Sequence, residues 1–190
     1  MIDRGFETER TVLRAFEPDD IAAVEDYLND SDIVGRRYLP WTLRDGIPLS
    51  TSQVAGILDE WVKQKAGFAL AVETKASGRL IGHAVCEWGW DPHCPSASVV
   101  IAPSQQRMRY GSEVLSLLLR FLFLETAAHT VTGWVASWNE PALRFAAARG
   151  LAEAGRMPRA GLRDGAYYEQ VVFDLLRREW AGREGGRHAA

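Results

Sequence analysis

What most constrains this chain is a change of texture at its centre. Ser98-Val-Val-Ile-Ala102 is a short, almost uninterrupted apolar run, the pattern of a strand in the middle of a sheet, covered on both faces. Pro103 breaks it, a polar and basic loop runs to Gly111, and Ser112 starts the strongest helical pattern of the chain. That helix reads over Val114 to Ala128, with Leu115, Leu118, Leu119 and Leu122 at helical spacing. A buried strand that hands directly to an amphipathic helix needs a layered fold, with helices packed on a sheet.

The flanking segments supply the layers. Thr11-Val-Leu-Arg-Ala-Phe16 alternates apolar and polar residues and reads as a strand. Pro18 opens a helix striped by Ile21, Val24 and Leu28 and ended by Asn29-Asp30. A second helix carries Val54, Ile57, Leu58 and Trp61 on one face and closes at Gly67. Phe68 to Val72 and Leu80 to Trp90 predict a hairpin about the Lys75-Ala-Ser-Gly78 turn, with a loop over Asp91-Pro-His-Cys-Pro95. Val131 to Trp138 reads as a strand, and Asn139 to Arg149 as a short helix stopped by Gly150. Ala166 to Leu175 is the last strand, after an Arg163-Asp-Gly165 turn. The expected class is α/β with a mixed sheet, one domain over residues 1–180 and a flexible tail over 181–190.

Composition narrows the function. Of 190 residues, 47% are hydrophobic and 25% charged, with a formal net charge of −3. This is globular composition without the basic excess of a nucleic-acid binder. Cys86 and Cys94 form no Cys-x-x-Cys pair, and the four histidines are scattered, so no structural zinc or other metal site is expected. Cys86 reads as a small buried residue and Cys94 as a loop thiol. The charged start shows no apolar leader pattern. The apolar stretch Leu115 to Leu124 is short and interrupted by Ser116 and Arg120, too little to cross a bilayer. A cytoplasmic protein is expected.

The chemistry concentrates where the apolar strand meets the long helix. A helix N-terminus exposes unpaired N–H groups and about half a positive charge, which suits an anion. Arg107 and Arg109 add full charges, and Gly111 permits close backbone approach. The physics points to a phosphate or pyrophosphate cradle; a surface loop with solvated arginines is the plain alternative.

Pro103-Ser-Gln-Gln-Arg-Met-Arg-Tyr-Gly-Ser-Glu-Val114 resembles the coenzyme-A-binding motif of the GNAT superfamily of N-acetyltransferases, (Gln/Arg)-x-x-Gly-x-(Gly/Ala), with Gln106 and Gly111 on its ends. Other segments are similar to the ribosomal-protein N-terminal acetyltransferase branch: Thr8-Glu-Arg-Thr-Val-Leu-Arg14, Leu80-Ile-Gly82 and Val135-Ala-Ser-Trp-Asn139. So are Ala148-Arg-Gly-Leu151, Leu162-Arg-Asp-Gly165 and Leu175-Leu-Arg-Arg-Glu-Trp180. The resemblance implies a mostly antiparallel sheet with helices on both faces and a splayed strand pair, Ser98–Ala102 and Val131–Trp138. It implies transfer of an acetyl or other acyl group from acyl-CoA to an amine. The coenzyme contacts it implies are Val100, Ile101, Gln106, Arg107, Met108, Arg109, Tyr110, Gly111, Ser112 and Asn139. Asn139 also reads as a helix N-cap, and the two roles are compatible.

The sequence departs from the family pattern in places that matter. Arg109 stands where the first motif glycine belongs. Its side chain either pairs with a phosphate or obstructs the cradle; the guanidinium fork favours pairing. Ser96, Ala142 and Ala146 occupy positions where relatives carry a general base or acid. Glu87 and Tyr168 remain as candidate catalytic residues. Strand alternation turns His83, Val85 and Glu87 to one face, and partial burial beside Trp88 or Trp90 would make Glu87 a better base. Its plain alternative is a solvent-facing strand residue, and that of Tyr168 is sheet packing.

For the acceptor, Arg36, Arg37, Tyr38 and Trp41 between the first two helices join Trp88 and His93 at the hairpin end. Aromatics suit a flat acceptor and arginines a carboxylate, which fits a small amine or a peptide N-terminus; alternatively the aromatics are core. Neither nucleic acid nor membrane is an expected partner, and the chain is expected as a monomer or homodimer. A second reading keeps the fold, loses catalysis and binds a ligand or partner.

Overall fold

The computed structural model describes residues 6–30, 33, 48–89 and 91–187 of the chain. They fall into two compact units, Met1–Glu87 with Ser98–Leu118, and Trp88–Ala97 with Leu119–Ala190.

In the first unit, β1 (Thr11–Arg14) pairs antiparallel with β2 (Gly67–Thr74), from Thr11↔Thr74 to Arg14↔Ala71. Strand β2 pairs antiparallel with β3 (Leu80–Glu87), with a bulge at Val72/Glu73. The predicted hairpin is present, and β3 ends at Glu87, short of Trp90. Helices α1 (Ile21–Leu28) and α2 (Thr51–Lys63) cover this layer. Their apolar stripes bury Val24, Leu28, Val54 and Leu58 against Ala69, Ala71 and Val100. Arg14 ties β1 to its surroundings through Asp20 at 2.8 Å and Glu73 at 2.7 Å. A Cβ on Gly82 would lie 2.0 Å from the Val100 carbonyl oxygen, so only glycine lets β3 approach that carbonyl.

Strand β4 (Ser96–Ile101) begins in the second unit and continues into the first. Helix α3 (Tyr110–Glu125) follows the loop. It starts two residues before the expected Ser112, because Gly111 is tolerated in a first turn that has no i−4 partners to lose.

In the second unit, β5 (Thr130–Ala136) runs antiparallel to β7 (Ala166–Leu176) along its whole length, from Thr130↔Leu176 to Ala136↔Gln170. Strand β6 (Ala152–Arg163) pairs with β7 on the other side. The β6–β7 turn uses Asp164 and Gly165, with φ of +49° and +77°, the two-residue connection matched to strand twist. Helix α4 (Glu140–Ala148) precedes β6, and α5 (Arg177–Arg187) closes the chain. Val131, Val171 and Leu175 are buried, and the rings of Phe123 and Trp180 pack 5.4 Å apart.

The seven strands run β1-β2-β3-β4-β5-β7-β6. One contact in this mostly antiparallel open sheet is parallel, β4 with β5. Among the described residues that pairing consists of Ser96↔Thr132, supported by a Thr132 N–H donated to the Pro95 carbonyl at 2.9 Å.

Candidate functional site

The loop between β4 and α3 is held at both ends. Gln106 donates its Nε2–H to the Ile101 carbonyl at 2.9 Å, closing the loop across the Pro103–Gln105 turn. The Ser112 and Glu113 N–H groups close on the Arg109 carbonyl at 3.0 and 3.2 Å. Between these clamps Arg107 and Arg109 have φ of +66° and +67°, while Met108 and Tyr110 do not. Arg109 thus has a left-handed backbone of the kind glycine adopts freely, although a Cβ makes that conformation costly. Alternation in the sign of φ aims successive N–H groups toward one side, a concavity suited to anion oxygens. Arg107, Met108 and Arg109 are exposed, Tyr110, Gly111 and Ser112 half-buried, and Val100 and Ile101 buried on β4. The 16-residue α3 adds its positive N-terminal end.

Sequence reasoning missed what lies beside this loop. The Arg10 guanidinium donates from Nε to Glu113 Oε1 at 2.9 Å and from Nη2 to the Met108 carbonyl at 2.8 Å. It also lies 4.6 Å from the centre of the Tyr110 ring. Thr8 donates its hydroxyl to Glu113 Oε2 at 3.1 Å. The Glu113 carboxylate is the first cause holding Arg10 above its ordinary pKa, and the pair neutralises the one acidic residue in the first turn of α3. The Thr8-Glu-Arg10 segment was visible in the sequence, but partners 98 to 105 residues away leave no local pattern.

Strand β3 does not assemble the expected His83–Glu87 face. His83 is 1% exposed, hydrogen-bonded through Nδ1 to the Tyr27 hydroxyl at 2.8 Å, with its ring centre 4.5 Å from that of Trp61. Burial pushes its pKa down to about 3, so it is a neutral core residue. Glu87 is exposed at the strand end, without the expected partial burial, and Trp88 after it is half-buried. Cys86 is buried and its thiol is pushed up to about 12. Burial also raises the Cys94 thiol, so neither is a ready nucleophile.

In the second unit Asn139 is buried at the start of α4, where its side chain accepts the Ala142 N–H at 3.3 Å. The expected cap is therefore present. Trp138 meets Tyr168 edge-on, with ring centres 6.2 Å apart, and carries the Arg163 guanidinium 3.8 Å above its ring. Tyr168 lies across Gly161, where an added Cβ would come 2.4 Å from the phenol oxygen. Its surroundings are those of a tightly packed sheet residue. His93 precedes β4, with Nδ1 3.1 Å from Asp91 Oδ1 and its carbonyl accepting the His129 and Thr130 N–H groups. Arg36, Arg37, Tyr38, Trp41 and Trp90 lie outside the described residues. Among the described residues no group of His, Cys, Asp and Glu could hold a metal ion, and no helix is long and apolar enough to cross a membrane.

Comparisons with known proteins agree along most of the chain. A family model described as an acetyltransferase (GNAT) domain matches residues 10–152. The SPbeta prophage-derived uncharacterized N-acetyltransferase YokL of Bacillus subtilis (strain 168) is 25% identical over 177 residues, covering 90% of this chain and 93% of its own. The uncharacterized N-acetyltransferase YnaD of the same organism is 24% identical over 173 residues, covering 91% and 97%. A GNAT-family acetyltransferase from Bacillus anthracis shares the fold with a TM-score of 0.78 at 21% identity, covering 91% of this chain and 98% of that one. A mutant form of the spermidine N-acetyltransferase SpeG from Vibrio cholerae gives 0.74 at 20%, covering 93% and 99%.

Proposed function

This chain belongs to the GNAT family of acetyltransferases, and from that premise we propose that it is a coenzyme-A-dependent N-acyltransferase. It moves an acetyl or other acyl group from acyl-CoA to a primary amine of a small molecule or a peptide N-terminus, in the cytoplasm, by direct transfer in a ternary complex. The family generally uses acyl-CoA. The observation that carries the reading is the β4–α3 loop, where left-handed Arg107 and Arg109 open a long helix with two exposed cations. A pyrophosphate fits such a loop, because backbone N–H groups and guanidinium forks both donate to phosphate oxygens.

The donor supplies an activated thioester; the chain binds and orients it. Backbone N–H groups from Arg107 to Gly111, with the Arg107 and Arg109 side chains, hold its phosphates, while Gln106 and Ser112 shape the loop's ends with their own N–H groups bonded to the Pro103 and Arg109 carbonyls. An N–H near Val100 or Ile101 polarises the thioester carbonyl, and Asn139 contributes a further contact. Gln106 acts on the loop itself through Ile101. Ser96, Ala142 and Ala146 offer no acid or base, so the rate rests on proximity and on carbonyl polarisation. Glu87, exposed and reachable by water, is the candidate acceptor of the amine proton. Tyr168, Trp88, His93 and the arginine–aromatic segment around Arg37, Tyr38 and Trp41 are the candidates for shaping the acceptor site.

Calorimetric titration with acetyl-CoA tests the reading, and no binding at millimolar ligand ends it. The same three unreactive positions favour a second reading, a ligand-binding protein of this fold without transfer. Release of free thiol with a panel of amines, spermidine among them, separates the two. Turnover supports the enzyme, and binding without turnover supports the alternative.

A further inference from the structure

We infer that Arg10 is a positioning residue that holds the Met108–Arg109 peptide so that the strained Arg109 presents its N–H to the loop's open side. The inference deepens the donor-site reading and rests on it for the identity of the ligand.

The argument starts from peptide geometry. No peptide bond among the described residues is cis, and in a planar trans peptide the C=O and N–H point in opposite directions. Arg10 Nη2 holds the Met108 carbonyl at 2.8 Å. The N–H of the same peptide, that of Arg109, therefore points away from Arg10. Rotating this peptide by half a turn would swing that N–H toward Arg10. It would also move the Arg109 φ from +67° into the ordinary negative range, relieving the left-handed penalty. Left to itself the loop would relax in that direction, so something must oppose it.

Arg10 is built to oppose it. Its guanidinium is fixed from a second side by Glu113, bonded at Nε over 2.9 Å, and Glu113 is fixed in turn by the Thr8 hydroxyl at 3.1 Å. The Tyr110 ring packs against the guanidinium at 4.6 Å. A rigid fork with five donors can hold a carbonyl and a carboxylate together, whereas a lysine ammonium cannot reproduce that geometry. Neutralising Glu113 also removes a negative charge that would oppose an anion at the same helix end.

The test is a pair of cycles with Arg10→Ala and Arg109→Gly. Glycine removes the left-handed penalty, so where Arg10 holds the strained peptide, Arg109→Gly raises the unliganded melting midpoint by about 2–4 °C. With Arg10→Ala in place the loop has already relaxed, and the same glycine substitution gives no rise. For acetyl-CoA, loss of Arg10 weakens binding roughly tenfold with Arg109 present, because the competent loop becomes a minor state. In the Arg109→Gly background the same loss costs about twofold, since flipped and unflipped peptides are then near equal in energy. Arg10→Lys behaves as Arg10→Ala in both cycles and serves if the alanine variant fails to fold. An equal midpoint rise with and without Arg10, or an equal affinity loss in both backgrounds, overturns the inference. Failure of the wild type to bind acetyl-CoA overturns the donor reading instead, and the midpoint cycle still decides whether Arg10 holds the peptide.

Discussion

Two kinds of helix start in this chain meet the same physical problem in opposite ways. Helix α4 begins at Asn139, which accepts the Ala142 N–H at 3.3 Å. Helix α2 begins at Ser50, which accepts the Gln53 N–H at 3.4 Å, while Gln53 accepts the Ser50 N–H at 2.9 Å. First-turn donors there are satisfied within the helix. Helix α3 begins after Arg109, whose side chain has donors and no acceptor, so it adds charge where the others add a cap. The same division separates His83, turned inward onto Tyr27, from Arg107 and Arg109, turned outward. Inward polar groups build the fold, and the outward ones at α3 are what a bound anion would use.

The sharpest way to break this contrast is acid. His83 has a folded pKa of about 3 against an ordinary 6.5. The unfolded chain therefore takes up the proton first, and stability falls as the pH drops through 6.5 toward 3. The loss reaches about 3 kcal/mol by pH 4. Urea melts at pH 7 and pH 4 should show it, and His83→Gln should remove that part of the acid dependence. An unchanged acid limb in the variant would assign the loss to other groups.

Arg109→Ala should act in the opposite sense, on binding rather than folding. Acetyl-CoA affinity is expected to fall by roughly 1.5–3 kcal/mol, the range for a hydrogen bond to a charged group, with little change in melting midpoint. Added salt should weaken the wild type more than the variant, because screening acts on a charge that only the wild type carries. Equal affinities would place the Arg109 side chain in solvent.

The smallest effects test the caps. Asn139→Ala and Ser50→Ala should each cost about 1 kcal/mol of stability in denaturant melts. Ser50→Ala should leave coenzyme affinity unchanged. A coenzyme loss confined to Asn139→Ala would show that Asn139 serves ligand and helix together, narrowing the contrast between α4 and α3.

These regions were not equally legible. The β2–β3 hairpin, the cap of α4 and the Asp164–Gly165 turn follow from local chemistry, and local chemistry is what a sequence displays. Gly111 suggested a boundary at Ser112, yet α3 starts at Tyr110, because a glycine in the first turn disrupts no helical bond. The pairing of His83 with Glu87 relied on strand alternation. Ile81 to Ala84 are buried without a break, so alternation there separates two covered faces rather than core from solvent. The left-handed backbone of Arg107 and Arg109 was hidden because arginine disfavours it. The Arg10 contacts that accompany it come from the residue just before β1, far away in sequence.

Cys86 has a consequence for kinetics. It sits on β3, hydrogen-bonded between β2 and β4, with 0% exposure. A thiol reagent can reach it only when that strand opens, so its labelling rate in native buffer, divided by that of an open thiol, reads the population of the open strand where reclosing outpaces labelling. Cys94, half-exposed in the loop before β4, labels without such an event. The chain thus carries a stopwatch for the opening of its central sheet and, on a loop, the internal standard that calibrates it.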